Sequence, residues 1–230
     1  MNRQSSKVIG PIALLAALVL GACVTGSTEP PEGATLYQKQ PLPVGTTMTL
    51  RRSEGGNVRT FTQTVTGTDI FEGREVIRSE NDDGTTSFYD RETRTWTATL
   101  DRDGTVKTYI DPHAGYYDWP LFVGKSWRPS YAFHDVAGGN SWSGIAPSLE
   151  VAAIETVTVP AGTFETLRIE SGPGNNVGFE ATYWYAPSIG LIVKSDWART
   201  TNHYQGPGGA RETVLVAFEK PSGPDVELIE

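Results

Sequence analysis

The sequence predicts an all-β protein made of one antiparallel sheet that curves into a half-barrel or β-clam. Two observations support this fold class. Short runs rich in Thr, Val, Ile, Phe, Tyr and Trp recur along the chain, and Gly, Asn or Asp residues separate them, which is typical of antiparallel strands and turns. No window favours a long amphipathic helix, because Pro and Gly interrupt most of the candidates.

Residues 1–22 have the layout of a bacterial lipoprotein signal peptide. A 13-residue apolar run, Val8–Leu20, follows two basic residues, and small residues then precede Cys23, the only cysteine. As a helix this run would span about 20 Å, which is short of a bilayer core of about 30 Å. The pattern resembles a lipobox, so we expect cleavage before Cys23 and a diacylglycerol on its thiol. An uncleaved anchor or an ordinary secretory signal is the alternative.

Residues 23–40 are predicted to be the lipidated N-terminus and a flexible tether. The stretch contains Gly, Ser, Thr and Glu together with the pair Pro30-Pro31, and it has little to bury. A single β-rich domain is predicted for residues 41–220, which is long enough to build one sizeable core. Residues 221–230 read as a loop-like C-terminal tail.

The predicted strands are short and are separated by turn residues. Those of the first half are Thr47–Arg52, Arg59–Thr66, Arg74–Ser79, Thr86–Asp90, Thr95–Leu100 and Val106–Ile110. Those of the second half are Leu149–Val159, Thr163–Ser171, Phe179–Tyr185, Leu191–Ala198 and Glu212–Glu219. Because apolar and polar residues alternate in several of them, we expect one face of the sheet to be buried.

The chain also repeats a pattern, which predicts two similar halves of the sheet. Pro41–Gly45 (PLPVG) opens the first half and Pro120–Gly124 (PLFVG) opens the second. A strand, a glycine-containing turn, a second strand and then an aromatic strand follow in each half. Chance likeness between short strand-turn-strand segments is the alternative explanation.

Three segments together carry a resemblance to a known group of proteins. They are Trp119–Trp127 (WPLFVGKSW), Val157–Ile169 (VTVPAGTFETLRI) and Thr182–Lys194 (TYWYAPSIGLIVK). In this order they resemble uncharacterised exported β-rich bacterial lipoproteins, some known only as domains of unknown function, and distantly the half-barrels of the LolA and LolB type. The resemblance implies a curved sheet and export, and it assigns no activity.

The charge of the chain excludes one class of partner. Without residues 1–22, Lys+Arg falls from 19 to 17 against 27 Asp+Glu, so the mature net charge is −10. No Lys/Arg cluster is longer than Arg51-Arg52. Nucleic-acid binding, which requires neutralisation of phosphates, is therefore not expected.

Aromatic residues are concentrated in one window. Nine of them fall between Tyr109 and Trp142, where the average composition predicts three or four. We expect Phe122 and Trp127 to belong to the core. Four others lie among Gly, Pro and Asp, and we predict that they contact a ligand: Tyr116, Tyr117, Trp119 and Trp142.

Signatures of catalysis are weak. The three histidines, His113, His134 and His203, lack the spacing of a local zinc motif. An acylated Cys23 cannot act as a nucleophile. Paired carboxylates for glycoside cleavage stay open, because their separation in space is not visible in a sequence. We therefore expect no metal and no cofactor, and favour a non-enzymatic role.

These observations predict a lipoprotein that faces the periplasm. Its partner would be the lipid bilayer, which it binds through acylated Cys23. Its role would be binding or envelope structure, with an apolar or glycan ligand on a face of the sheet. Position 24 is Val rather than Asp, which by resemblance to enteric sorting rules favours the outer membrane. The alternatives are an envelope hydrolase with paired carboxylates and a protein-interaction module of an envelope complex.

Overall fold

The computed structural model of the protein describes residues 28–171 and 177–226. The predicted signal peptide and Cys23 lie outside the described residues. Within these ranges the chain forms strands and turns without a helix. Accordingly, the described part of the chain contains no helix that could span a membrane.

Fourteen strands of the described residues form one antiparallel sheet, which confirms the predicted fold class. The strands are β1 (Thr47–Glu54), β2 (Asn57–Phe71), β3 (Arg74–Asn81), β4 (Thr86–Asp90), β5 (Trp96–Leu100), β6 (Val106–Asp111), β7 (Ser126–Trp127), β8 (Tyr131–Asp135), β9 (Asn140–Ile145), β10 (Leu149–Val159), β11 (Gly162–Ser171), β12 (Phe179–Ala186), β13 (Leu191–Arg199) and β14 (Ala210–Glu219). The order across the sheet is β7-β10-β11-β12-β13-β14-β1-β2-β3-β4-β5-β6-β8-β9. Strands β7 and β9 are its edges, so the sheet curves without closing into a barrel.

Two stretches of the sheet repeat the same strand order. In the first stretch β1 to β6 are neighbours in chain order. In the second stretch β7 is followed by β10 to β14, because the β8–β9 hairpin is inserted between β7 and β10 in sequence and pairs with β6 instead. Strand β14 pairs with β1 and thereby joins the two stretches.

The two Pro-Leu motifs make equivalent backbone hydrogen bonds. Gly45 N donates to Val65 O and Gly124 N donates to Val151 O, both at 2.8 Å. In turn, Val65 N donates to Thr46 O and Val151 N donates to Lys125 O, both at 2.8 Å. The glycines have φ of 87° and 86°, a conformation that favours glycine. Both valines lie at a register shift of their strand, so the motifs occupy matching positions, as the sequence repeat predicts.

The largest buried cluster lies where a connecting segment crosses the sheet. Residues 112–125 link β6 to β7, and Leu121 and Tyr117 of this segment pack against strand residues that are almost inaccessible to solvent. The cluster consists of Tyr117, Leu121, Trp127, Leu149, Val151, Leu167, Ile169 and Tyr185. This packing holds the segment inside the curve of the sheet.

Both ends of the described chain contact the domain. Thr28 N donates to Ser126 O at 3.2 Å, and Ser126 N donates to Thr28 Oγ1 at 3.0 Å. Tyr37 and Leu121 exchange two backbone hydrogen bonds of 2.8 and 2.9 Å. At the other end Val226 is buried against the core. Thr28 and Tyr37, which lie in the segment predicted to be a tether, are therefore hydrogen-bonded to the domain.

Candidate ligand-binding cavity

A cavity of about 620 Å³ lies on the inner face of the curved sheet. Its wall follows the two-residue period of the strands. On β1 the lining residues are Met48, Leu50, Arg52 and Glu54, whereas Arg51 is exposed outside the cavity. A volume between about 300 and 1,000 Å³ is usual for sites that bind small molecules.

Aromatic side chains from both halves of the chain dominate the wall. Tyr116 and Tyr183 stack with ring centroids 5.0 Å apart, and Tyr117 meets Tyr185 edge to face at 5.4 Å. The aromatic lining residues are Phe61, Tyr89, Trp96, Tyr116, Tyr117, Trp119, Tyr131, Phe133, Phe179, Tyr183, Tyr185, Trp197 and Tyr204. Such a wall provides apolar ring faces together with phenolic hydroxyl groups.

Hydrogen bonds to the sheet fix the position of the connecting segment. Trp96 N donates to the Tyr116 hydroxyl at 3.1 Å, and Trp119 Nε1 donates to Thr93 O at 3.1 Å. Gly115 has a φ of 65°, and a Cβ at this position would lie 2.4 Å from Pro129. Only glycine therefore fits at position 115, directly before Tyr116 and Tyr117.

A buried lysine holds the far end of this segment. The Lys125 side chain is 4% exposed, and its Nζ lies 2.9 Å from an Asp118 carboxylate oxygen. The same ammonium group donates to the carbonyls of Asp118 and Pro120 at 2.5 and 2.9 Å. One charged group thus binds three oxygens of the loop that leads from the aromatic residues to β7.

Three of the four predicted ligand-contacting residues line the cavity. Tyr116 and Trp119 are half-buried and Tyr117 is 6% exposed, and all three face the cavity. Trp142 lies beside it, with its ring 6.0 Å from Phe133 and 5.2 Å from Tyr204. It thus packs behind two lining residues and does not itself form the wall.

Burial keeps the phenols of the wall in their neutral form. Loss of hydration raises the pKa of Tyr116 and Tyr117 well above 10, with further contributions from neighbouring phenols. Burial also raises the pKa of Tyr183 to about 12, although the charge of Arg211 opposes this effect. These hydroxyls are therefore hydrogen-bonding groups rather than acids at neutral pH.

The charged side chains of the wall are mostly cationic, and none of these cations was predicted from the sequence. They are Lys39, Arg52, Arg59, Arg94, Arg199 and Arg211. Burial and the neighbouring Arg211 and Arg59 charges lower the pKa of Arg52 to about 10, so it remains a cation at neutral pH. Among the described residues Glu54 is the one carboxylate of the wall. The carboxylate pair that a glycoside hydrolase needs is thus not formed by these residues.

The histidines lie in three different settings. His113 Nδ1 is 3.2 Å from Thr95 Oγ1, and His134 stacks on Tyr109 with centroids 4.2 Å apart. His203 is 5% exposed, and burial together with the Arg199 charge lowers its pKa to about 4. In the part of the chain that the structure describes, no group of three or more His, Cys, Asp or Glu residues is arranged to hold a metal.

Several solved structures resemble the chain. A hypothetical lipoprotein from Parabacteroides distasonis has 14% identity and a TM-score of 0.42, covering 80% of this chain and 100% of its own. The hypothetical lipoprotein YmcC from Escherichia coli has 13% identity and a TM-score of 0.45, covering 80% and 91%. A hypothetical exported protein with a YmcC-like fold from Bacteroides fragilis has 16% identity and a TM-score of 0.41, covering 80% and 100%. No protein-family model and no curated protein matches the chain.

Proposed function

We propose that this protein is a lipid-anchored binding protein of the bacterial envelope that holds a ligand in the cavity on the inner face of its sheet. The observation that carries the proposal is the aromatic wall of this cavity of about 620 Å³. Ring faces stack on sugars or cover apolar chains, and the phenolic hydroxyls supply hydrogen bonds. The ligand is therefore an apolar molecule or a glycan.

The sequence around Cys23 supports the anchored location. Cys23 follows the apolar run at the position of a lipidation site, and Val24 favours delivery to the outer membrane. Among the described residues, hydrogen bonds to the domain begin at Thr28, five residues after Cys23. Five residues reach at most about 18 Å, so the domain would work next to the membrane surface, on its periplasmic side.

Native mass spectrometry of the protein purified from its own envelope tests the proposal. We expect a non-covalent ligand to be retained by the wild type. The variant Ser195→Trp should lose it, because Ser195 lies between Tyr183 and Thr213 in the sheet and all three line the cavity. An indole at this position would fill the space that the ligand needs.

The matched control is Ser188→Trp in the exposed turn between β12 and β13. This variant adds the same indole away from the cavity and should retain the ligand. Equal retention by both variants, with unchanged melting temperatures, would show that the cavity is not the binding site.

A further inference from the structure

The wall of the cavity is positively charged although the protein is acidic. Six cationic side chains of the described residues line it, against the single carboxylate of Glu54. The chain as a whole carries 27 Asp+Glu against 19 Lys+Arg. The fold thus concentrates cations on the wall of the cavity.

Four of these cations form an arginine cluster, which we define as Arg52, Arg59, Arg199 and Arg211. Arg52 on β1 is directly opposite Arg59 on β2. On the other side of β1, Arg211 on β14 is opposite Glu54. Strand pairing therefore places three guanidinium groups on adjacent strands at the same end of the cavity.

Two aromatic rings support the arginine cluster. The guanidinium carbons of Arg52 and Arg59 lie 5.1 and 4.8 Å from the centroid of Phe61. Those of Arg211 and Arg199 lie 5.0 and 5.8 Å from the centroid of Trp197. Stacking on a ring leaves the N–H edges of a guanidinium group available for an acceptor.

The arginine cluster is poor in counter-charge. Of its four members, only Arg59 forms an ion pair among the described residues, with Asp83 at 3.7 Å. Arg52 donates to a hydroxyl of Thr213 at 3.4 Å, and the neighbouring arginines repel it. Like charges held together in a half-buried site are stabilised by a bound anion.

A fifth arginine of the wall, Arg94, also has free donors. Its side chain is 9% exposed, and its Nη2 pairs with the carboxylate of Asp225. Its Nε and Nη1 are buried without a hydrogen-bond partner among the described residues. Unpaired buried donors are costly, so Arg94 adds a positive charge to the wall that its single carboxylate partner does not fully satisfy.

We propose that the ligand of this cavity is an anion: a carboxylate or phosphate group bound by Arg52 and Arg211, carried on an apolar or sugar body that packs against the aromatic wall. This inference rests on the proposed binding function and narrows it to acidic ligands. Guanidinium groups match carboxylate and phosphate oxygens with paired hydrogen bonds. An acidic lipid and an acidic saccharide are two sources of the same chemistry.

Matched pairs of ligands test the charge requirement and separate the two sources. The protein, purified from its envelope into phosphatidylcholine nanodiscs, is titrated with oleoyl lysophosphatidylglycerol or mono-oleoylglycerol, and with a hyaluronan tetrasaccharide or chitotetraose. Native mass spectrometry after release from the nanodisc measures the bound fraction. We expect the anionic member of one pair to bind at least about tenfold more tightly than its neutral partner. The pair that shows this difference identifies the source.

Two variants assign the effect to the arginine cluster. Arg52→Gln and Arg211→Gln should each weaken binding of the anionic ligand by about tenfold or more. Arg51→Gln is the matched control, because Arg51 precedes Arg52 on β1 but is exposed outside the cavity. It should leave the affinity unchanged. Melting temperatures of all three variants confirm that they fold.

The outcomes distinguish this inference from the proposed function. Equal binding of neutral and anionic members, or equal losses in Arg51→Gln and Arg52→Gln, would overturn the anionic class and leave a binding cavity. Retention of a neutral ligand from the envelope would do the same. If the protein neither retains an envelope ligand nor binds any of the four probes, the proposed function fails and the anionic class fails with it.

Discussion

At the scale of single residues, His203 shows what burial does to a titratable ring. Its Nδ1 accepts a hydrogen bond from Gln205 N at 3.1 Å, so the neutral ring carries its proton on Nε2. Nε2 is buried without a partner among the described residues. The centroid of the His203 ring lies 4.1 Å from that of Tyr204 and 5.6 Å from that of Trp197. A proton added to this ring would create a charge with no acceptor beside it.

We predict that His203 makes the protein less stable as the pH falls below 6.5. The pKa of His203 is about 4 in the folded chain and about 6.5 when unfolded. Between these values the unfolded state binds a proton that the folded state does not, so the contribution of His203 to the free energy of unfolding decreases as the pH falls and levels off above 6.5. Urea unfolding from pH 4.5 to 7.5 measures this slope. In His203→Phe, which keeps a ring but does not titrate, the slope should be smaller.

A carboxylate elsewhere in the domain, Asp225, contributes at lower pH and must be separated from this effect. Burial alone would raise the pKa of Asp225, but hydrogen bonds from Leu42 N and the Arg94 charge lower it below its usual value. It therefore adds a loss of stability at acidic pH in both proteins, and only the difference between wild type and His203→Phe reports on His203. Identical slopes in the two proteins would contradict the prediction.

Local context in the sequence pointed to three residues that line the cavity, and their contact with a ligand stays a prediction. Tyr116, Tyr117 and Trp119 were predicted to contact a ligand because Gly, Pro and Asp surround them in the sequence, and all three line the cavity. The arginine cluster could not be predicted in this way. Arg52 and Arg211 meet only because β14 pairs with β1 across more than 150 residues, and no local pattern encodes that pairing.

At the scale of elements, the connecting segment of residues 112–125 depends on one buried ion pair. Lys125 binds the carboxylate of Asp118 and two backbone carbonyls while it is almost inaccessible to solvent. These oxygens belong to the loop that presents Trp119. The aromatic wall of the cavity is therefore tied to the presence of this ammonium group.

We predict that Lys125→Met lowers the free energy of unfolding by about 2–4 kcal/mol, because it leaves a partly buried carboxylate and two carbonyls without their donor. The control is Lys107→Met, which removes an exposed pair with Asp101 at 3.5 Å and should cost no more than about 1 kcal/mol. Urea denaturation measures both changes. Equal losses in the two variants would show that burial does not strengthen the Lys125 contacts.

Strand prediction failed in one region for a physical reason. The eleven predicted strands match β1 to β6 and β10 to β14 within a few residues, with β2 longer because it continues through a bulge at Thr66. The missed strands are β7, β8 and β9. Strand β7 has two residues, and β8 and β9 lie in the Gly- and aromatic-rich window to which we assigned no strand. The pairing of β8 with β6 and of β9 with β8 supplies partners that a local pattern does not show.

At the scale of the whole molecule, side chains rather than backbone hydrogen bonds complete the curve of the sheet. Tyr131 and Ile145 of the β8–β9 hairpin share a buried cluster with Phe179 of β12, although these strands are not neighbours in the sheet. Trp142 of β9 packs against Tyr204, which follows β13. This aromatic seam, formed by Phe133, Trp142 and Tyr204, lies beside the cavity. The seam joins the β8–β9 hairpin to the segment that follows β13 through contacts between side chains.

We predict that Trp142→Ala loosens the seam while the rest of the sheet stays closed. Removal of a half-buried indole should cost about 1–3 kcal/mol of local stability, so amides of β8 and β9 should exchange with solvent about tenfold faster or more. Hydrogen-exchange mass spectrometry measures this, with β1 to β3 as the internal reference. Trp184→Ala is the control, because Trp184 packs under Lys194 at 4.8 Å and outside the cavity wall. The prediction is contradicted if Trp142→Ala speeds exchange across the whole sheet, because the hairpin then belongs to one cooperative unit with it. It is also contradicted if both variants change the exchange of β8 and β9 equally.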